Sequence, residues 1–442
     1  MIRPLQALCA VLVLLAPLPA LAKPATIVTS PGGITAWLVE DHANPMIAVS
    51  LLFAGGAATD PDGKVGLATF VSGMLDEGAG EMDSQAFQTR LDDLNVEIGF
   101  NAARDTFSGS MTTLTAHRDE AFALLNAALT QPRFDAEPLE RMRSVFQTRL
   151  RQRAERPNAR AAQALFGEIF AGHPYGRPTD GTEAGLKAIT AADLHDFVKT
   201  RFTRDRLMIG VVGDISAAEL AALLDKTFGN LPATSKLPPV AKVKPKLSGG
   251  IVPVPMAVPQ ASAVFAQEGP ARSDPDWQAF RVVMYVLADG GFSSRLTEEV
   301  REKRGLAYGV GAEAAPLAES PLVIGSVGTQ TAKIGESLKI IRAEWAKMHD
   351  SGPTDDEIAK AKAFLSGSLP LNLNSSPAIA QTLTTLQHFH LPPDELEHRA
   401  EVLAAISPAT IRAVAKRWLT PDRLTFAVAG EIKKSDLPQT GK

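Results

Sequence analysis

The side chains best able to ligate a metal or attack a substrate are few in this sequence and poorly spaced for either task. Its eight histidines are His42, His117, His173, His195, His349, His388, His390 and His398. No two stand four residues apart on a plausible helix with a glutamate between them, the spacing that turns two imidazoles to one face with a carboxylate beside them. His388 and His390 could share one face of a strand, but the surrounding Ala380 to Gln387 reads as helix, where positions i and i+2 diverge. The single cysteine, Cys9, lies in an N-terminal apolar run, which leaves the rest of the chain without thiolate chemistry or disulfides. Taken alone, Arg301 reads as one charge of a solvated helical face, Glu298 to Arg304, and Tyr308 as a strand-edge aromatic.

The elements around these residues are organised by a duplication. Thr203-Arg-Asp-Arg-Leu-Met-Ile-Gly-Val-Val-Gly-Asp-Ile215 aligns without a gap on Thr420-Pro-Asp-Arg-Leu-Thr-Phe-Ala-Val-Ala-Gly-Glu-Ile432. Upstream, Ile189-Thr190 and Lys199 match Ile406-Ser407 and Lys416 at the same offset, so a capped helix leads into a strand in both copies. Short β-branched runs such as Ile47 to Phe53 alternate with long amphipathic segments such as Glu137 to Arg153 and Pro275 to Leu287, which predicts an α+β fold. Gly66 opens an apolar, helix-compatible stretch, Leu67 to Leu75, that stops at Gly78. The expected organisation is a leader over 1–22, a first domain over 23–231, a Pro- and Lys-rich linker over 232–250, a second domain over 251–435 and a tail over 436–442.

Arg3, the apolar run Leu8 to Leu18 and Ala20-Leu21-Ala22 have the form of a cleaved signal peptide, with Pro17 and Pro19 interrupting any spanning helix. An exported chain without cysteine in its mature part fits a bacterial periplasm. The formal net charge of −4, with no long run of one sign, argues against nucleic-acid or anionic-membrane partners.

Gly66-Leu-Ala-Thr69-Phe-Val-Ser72-Gly73-Met-Leu75, following a strand that ends Ala54-Gly55-Gly56, resembles the zinc helix of the insulinase/pitrilysin-type peptidases. The resemblance extends to His173-Pro-Tyr-Gly176, Leu365-Ser-Gly-Ser-Leu369 and above all Gly290-Gly-Phe-Ser-Ser-Arg295 through Arg301 to Tyr308, so it spans nearly the whole mature chain. Active members carry His-x-x-Glu-His on the first helix, two zinc ligands and a general base. Laid on that pattern, Thr69 and Gly73 take the histidine positions and Ser72 the glutamate position, and none can perform its role. The family's third ligand, a glutamate, is expected near Thr148 and Arg149, in a stretch from Phe146 to Arg153 that contains no carboxylate.

The resemblance implies two homologous domains, each a mainly antiparallel sheet packed with helices, together forming half of a clam-shell chamber. It also implies that Arg301 and Tyr308 bind the substrate backbone, the guanidinium donating to a carbonyl or carboxylate and the phenol stabilising an oxyanion. The strand Ile324 to Thr329 and the run Ile47 to Phe53 are candidate strands for pairing with an extended peptide. The expected function is that of a non-catalytic subunit of a periplasmic heterodimeric zinc peptidase. This chain binds no cofactor, and a homologous partner with His-x-x-Glu-His supplies the zinc. The alternatives are a peptide-binding homodimer without proteolytic activity, a structural core subunit and a divergent active metallopeptidase.

Overall fold

The computed structural model describes residues 24–432, so the expected leader and tail lie outside the described residues. Two mixed sheets organise the chain. The first contains β1 (Thr26–Thr29), β2 (Thr35–Glu40), β3 (Met46–Ala54), β4 (Glu97–Ala102), β5 (Thr106–Leu114) and β6 (Leu207–Gly213), in the order β1-β2-β6-β3-β5-β4. The second contains β7 (Ile251–Pro255), β8 (Gln260–Glu268), β9 (Ala307–Ala315), β10 (Leu322–Gln330) and β11 (Thr425–Gly430), in the order β7-β11-β8-β10-β9.

With β1 set aside, the two orders are the same. The repeated segments supply β6 and β11, and each pairs parallel on one side, with β2 or β7, and antiparallel on the other, with β3 or β8. The capped helices of the repeat also form. Thr190 and Asp193 make a capping box ahead of β6, and the Ser407 hydroxyl accepts from the Thr410 amide ahead of β11. The duplication read from sequence is therefore a duplication of topology.

One helix from each half crosses to the other. Pro157–Ile169 follows the first half's long helix, yet its Ala161, Leu165 and Ile169 pack in one core with Val254, Val264, Ala427 and Ala429 of the second sheet. Its counterpart Ser376–His388 lies at nearly the same spacing before β11. Its Ala380, Leu383 and Leu386 pack on Trp37, Val39 and Val212 of the first sheet. Polar contacts fix the register of the second crossing: Ser50 and Thr384 share a hydroxyl hydrogen bond of 3.0 Å, and Gln387 Nε2 donates to the Ile209 carbonyl at 2.9 Å.

The pairing-strand expectation is corrected by this topology. Ile47 to Phe53 lies in β3 between β6 and β5, and Ile324 to Thr329 lies in β10 between β8 and β9. Both have their main-chain groups engaged on both sides. Apolar runs mark strands buried on two faces, which belong in a sheet's interior. The open edges on this side of the two sheets are β4, which lies beyond β5, and β9, which lies beside β10.

Gly210 shows how close the crossing is. A Cβ there would fall well inside contact distance of the Ala380 carbonyl oxygen and 3.0 Å from Leu383 Cβ. Gly210→Ala is therefore expected to destabilise the chain by about 1–3 kcal/mol, the range for overpacking. Gly367→Ala, where a Cβ meets open space, should stay within about 0.5 kcal/mol of wild type. Urea denaturation of both variants compares them.

Candidate functional site

The segment that resembles a zinc helix is helical over Leu67–Ser72 only and ends at Gly73. The helix-compatible stretch read from sequence ran from Leu67 to Leu75, with its stop at Gly78. The early stop has a local cause: the amides of Gly73 and Met74 reach back three residues, to Phe70 at 3.2 Å and Val71 at 2.9 Å, and tighten the chain. The other end is held by Asp60, whose carboxylate accepts from the amides of Gly66 at 2.8 Å and Ala68 at 3.0 Å. Burial pushes the Asp60 pKa up to about 6, against the pull of these two amides and the nearby Arg201 and Arg177.

None of the three degenerate positions offers a donor to a metal. Thr69 donates its hydroxyl to the Thr179 carbonyl at 2.9 Å, and Ser72 donates to the Thr69 carbonyl at 2.8 Å. At Gly73 a Cβ would stand 2.7 Å from Phe146 Cζ and 3.1 Å from Met142 Cε, so the volume a second histidine needs is filled. Among the described residues no group of three or more His, Cys, Asp or Glu side chains converges to hold a metal ion. These residues do not fit zinc.

The plug comes from the helix Ala136–Ala154, the one expected to carry the third ligand. Phe146 is only 6% exposed and packs against Phe70, the rings tilted by 42° with centroids 5.3 Å apart. The Thr148 hydroxyl turns outward and donates to the Ser144 carbonyl of its own helix at 2.8 Å, so Thr148 does not face the degenerate positions. The Arg149 guanidinium lies 5.5 Å from the Phe146 ring centroid. The apolar Met142, Val145, Phe146 and Leu150, on a helix otherwise crowded with arginine, were the available sign that this helix packs a closed apolar face here.

Arg301 and Tyr308 are brought together. Both line one cleft of about 870 Å³, with Ser262, Ser326 and Lys333 from the second half and Asn158 from the crossing helix Pro157–Ile169. Arg301 lies in a π-helical turn, Thr297–Glu302, and its guanidinium rests 4.6 Å from the centroid of Phe292 in the same glycine-rich motif. Tyr308 is 92% exposed on the open edge strand β9. The register explains its aim: Gly309 faces Gly328 and Ala307 faces Thr329, which leaves Tyr308 as the extra residue of a bulge. A bulge turns a side chain out of the ladder.

Arg295 anchors the segment that leads to Arg301. Its Nε and Nη2 both reach the Glu357 carboxylate at 2.7 Å, and Nη2 also donates to the Gly352 carbonyl at 3.2 Å. Burial pushes the Glu357 pKa up, but hydrogen bonds from Arg295 and Thr354 outweigh it and hold the carboxyl at about 2.

Residues 36–183 match the model of the insulinase family, peptidase family M16, and residues 188–365 match that of the peptidase M16 inactive domain. The chain belongs to the M16 peptidase family. It is 24% identical over 397 residues to a non-peptidase homolog, YmxG, of Helicobacter pylori, covering 89% of this chain and 91% of the relative. An uncharacterized zinc protease of Mycobacterium leprae is 25% identical over 417 residues, 93% of each chain. A crystal structure described as a peptidase M16 inactive domain from Pseudomonas fluorescens superposes with a TM-score of 0.87 at 27% identity, over 92% of this chain and 98% of that one.

Two outcomes are expected. Gly73→His should cost about 1–3 kcal/mol by overpacking against Phe146, and less in a Phe146→Ala background, a coupling that a double-mutant denaturation cycle reads directly. The stability contributed by the Arg295 pair should be fully present above the ordinary glutamate value of 4.5 and lost as pH falls towards about 2. Glu357→Gln should therefore flatten that part of the acid limb in a plot of melting temperature against pH.

Proposed function

We propose that this chain is the non-catalytic subunit of a heterodimeric zinc peptidase of the periplasm. A homologous partner carrying His-x-x-Glu-His holds the zinc, and this chain presents Arg301 and Tyr308 to the peptide as the two subunits close into a chamber. The observation that carries the reading is the contrast between the two sites. The metal positions are packed shut by Phe146, whereas Tyr308 stands free on a sheet edge in the same cleft as Arg301. A buried plug accounts for loss of catalysis, but folding alone gives no reason to bulge an edge strand and expose a phenol. The M16 relative described as a non-peptidase homolog supports the non-catalytic part of the reading.

The roles follow from the donors. The Arg301 guanidinium, steadied by Phe292, offers a planar pair of N–H groups to a peptide carbonyl or a carboxylate. The Tyr308 phenol donates one hydrogen bond to the oxygen on which negative charge develops as the peptide carbonyl becomes tetrahedral. Metal-activated water is the partner's contribution.

Cleavage of a quenched fluorescent peptide tests this with the chain alone, a candidate zinc partner alone and the mixture. Activity is expected in the mixture only. Tyr308→Phe should lower kcat by about 10²-fold, the usual effect of removing an oxyanion donor. Arg301→Ala should act mainly on KM, because the guanidinium binds the substrate in its ground state as well. Chelator-sensitive cleavage by the chain alone would overturn the proposal, and a mixture no faster than the partner alone would favour a peptide-binding homodimer.

A further inference from the structure

A pocket of about 180 Å³ opens where the end of the helix Ala136–Ala154, the start of the helix Pro157–Ile169 and the loop 176–181 meet. Four arginines, Arg104, Arg153, Arg160 and Arg177, line it with a single carboxylate, that of Asp180. It adjoins the zinc-like helix, because Thr179, another of its wall residues, accepts at its carbonyl from Thr69. None of its residues lines the cleft of Arg301 and Tyr308.

The carboxylate is already engaged. Asp180 accepts from Arg153 Nη1 and from the Thr179 hydroxyl at 3.4 Å. The cations are less well matched. Arg104 holds its Cζ 4.4 Å from the centroid of Phe166, also in the wall, and donates through Nη1 alone, to the carbonyls of Tyr175 and Arg177. Burial lowers the Arg104 pKa against the pull of Asp105. Among the described residues no carboxylate pairs with Arg104 or with the exposed Arg160, and the buried Arg177 Nε has no hydrogen-bond partner. Leu150, Ala154, Ala162 and Phe166 make much of the remaining wall apolar.

We propose that this pocket receives the C-terminal residue of a peptide, with its carboxylate on Arg104 and Arg160 and an apolar side chain against Leu150 and Phe166. A partly buried guanidinium with free N–H groups calls for an oxyanion. Apolar walls beside it favour an anion with a hydrocarbon body, which inorganic phosphate lacks. A free amino acid brings an ammonium too, and the one carboxylate lining the pocket is held by Arg153. The last residue of a peptide has an amide nitrogen in that place. The volume is below the roughly 300–1,000 Å³ usual for larger ligands, which suits one residue. This site lies apart from the Arg301 cleft and goes beyond the function proposed for it.

Fluorescence anisotropy of the full chain without a partner tests this, using N-terminally labelled peptides that differ only at the last residue. The peptide ending in leucine carboxylate should bind at least about ten-fold more tightly than its carboxamide, the effect of one charge-assisted contact, and more tightly than a peptide ending in serine. Unlabelled N-acetyl-leucine should displace it, whereas leucine and inorganic phosphate should not. Arg160→Gln should shrink the preference for the carboxylate several-fold, and so should Arg104→Lys, which keeps the charge and loses the planar fork. Arg151→Gln, on the same helix as Arg153 but outside the pocket, should preserve it, and melting temperatures should confirm that the variants fold. Equal binding of carboxylate and carboxamide, a preference unchanged in Arg160→Gln, or displacement by leucine or phosphate as effective as by N-acetyl-leucine would each overturn the proposal. So would a preference lost in Arg301→Ala, which would put the carboxylate in the other cleft. Arg160→Gln leaves the Arg301 cleft intact, so mixed-subunit cleavage by that variant tests the two readings separately.

Discussion

The crossing of two equivalent helices is the constraint on which the rest of this structure depends. Each sheet has one face covered by its own helices and part of the other covered by a helix from the opposite half. The contact is direct enough that Gly210 leaves room for the backbone at Ala380 and for little else. Burying a single leucine is worth about 1.5–3 kcal/mol, and Leu165, Leu383 and Leu386 are all buried in these crossings. The crossing also brings Asn158 to the cleft that Tyr308 lines, so a residue of the first half becomes part of a cleft built on the second sheet. A second tie reinforces it. The Tyr175 hydroxyl donates to Asp105 and accepts from the Glu319 amide at 3.0 Å, while Asp105 accepts from the Ala318 amide at 3.0 Å.

Within that frame, the segment that resembles a zinc helix is closed by packing as well as lacking ligands among its own side chains. Thr69, Ser72 and Gly73 are small, and the space they release is taken up by Phe146 and Met142 from the facing helix. The result is an apolar contact, Phe70 on Phe146, with Arg149 over the outer ring and Arg143 5.3 Å from the centroid of Phe70. A histidine placed at Gly73 would meet an occupied volume. The cleft of Arg301 has the opposite character: its residues are held from behind, by Phe292 and by the Arg295–Glu357 pair, and left open in front.

The sequence made some of this legible and hid the rest for definite reasons. The gapless match of Thr203 to Ile215 with Thr420 to Ile432 gave away the duplicated topology, because similar cap and strand chemistry folds alike. The pairing of Arg301 with Tyr308 was legible through the resemblance, since their spacing alone favoured a solvated helix face. The helix crossing was not legible: an amphipathic helix states that it has an apolar face and is silent about which sheet that face meets. The candidate pairing strands failed because apolar runs report interior strands, whereas the edges β4 and β9 interrupt their apolar residues with Gly and charged or polar ones. The end of the zinc-like helix at Gly73 came from backbone bonds tightening at a position where the apolar pattern continued.

The crossing also bears on how the chain reaches this structure. As the polypeptide is made, the first sheet can assemble once β6 has emerged, yet Trp37, Val39 and Val212 stay bare until Ser376–His388 arrives much later in the sequence. The helix Pro157–Ile169 is ready early and has no sheet to cover until β8 and β11 exist. Neither half can finish its core before the other, so the last step of folding joins segments far apart in the chain and is slow for reasons of topology. In the interval an apolar sheet face and an unpaired helix are exposed together, the condition under which chains associate wrongly or exchange equivalent elements with a neighbour.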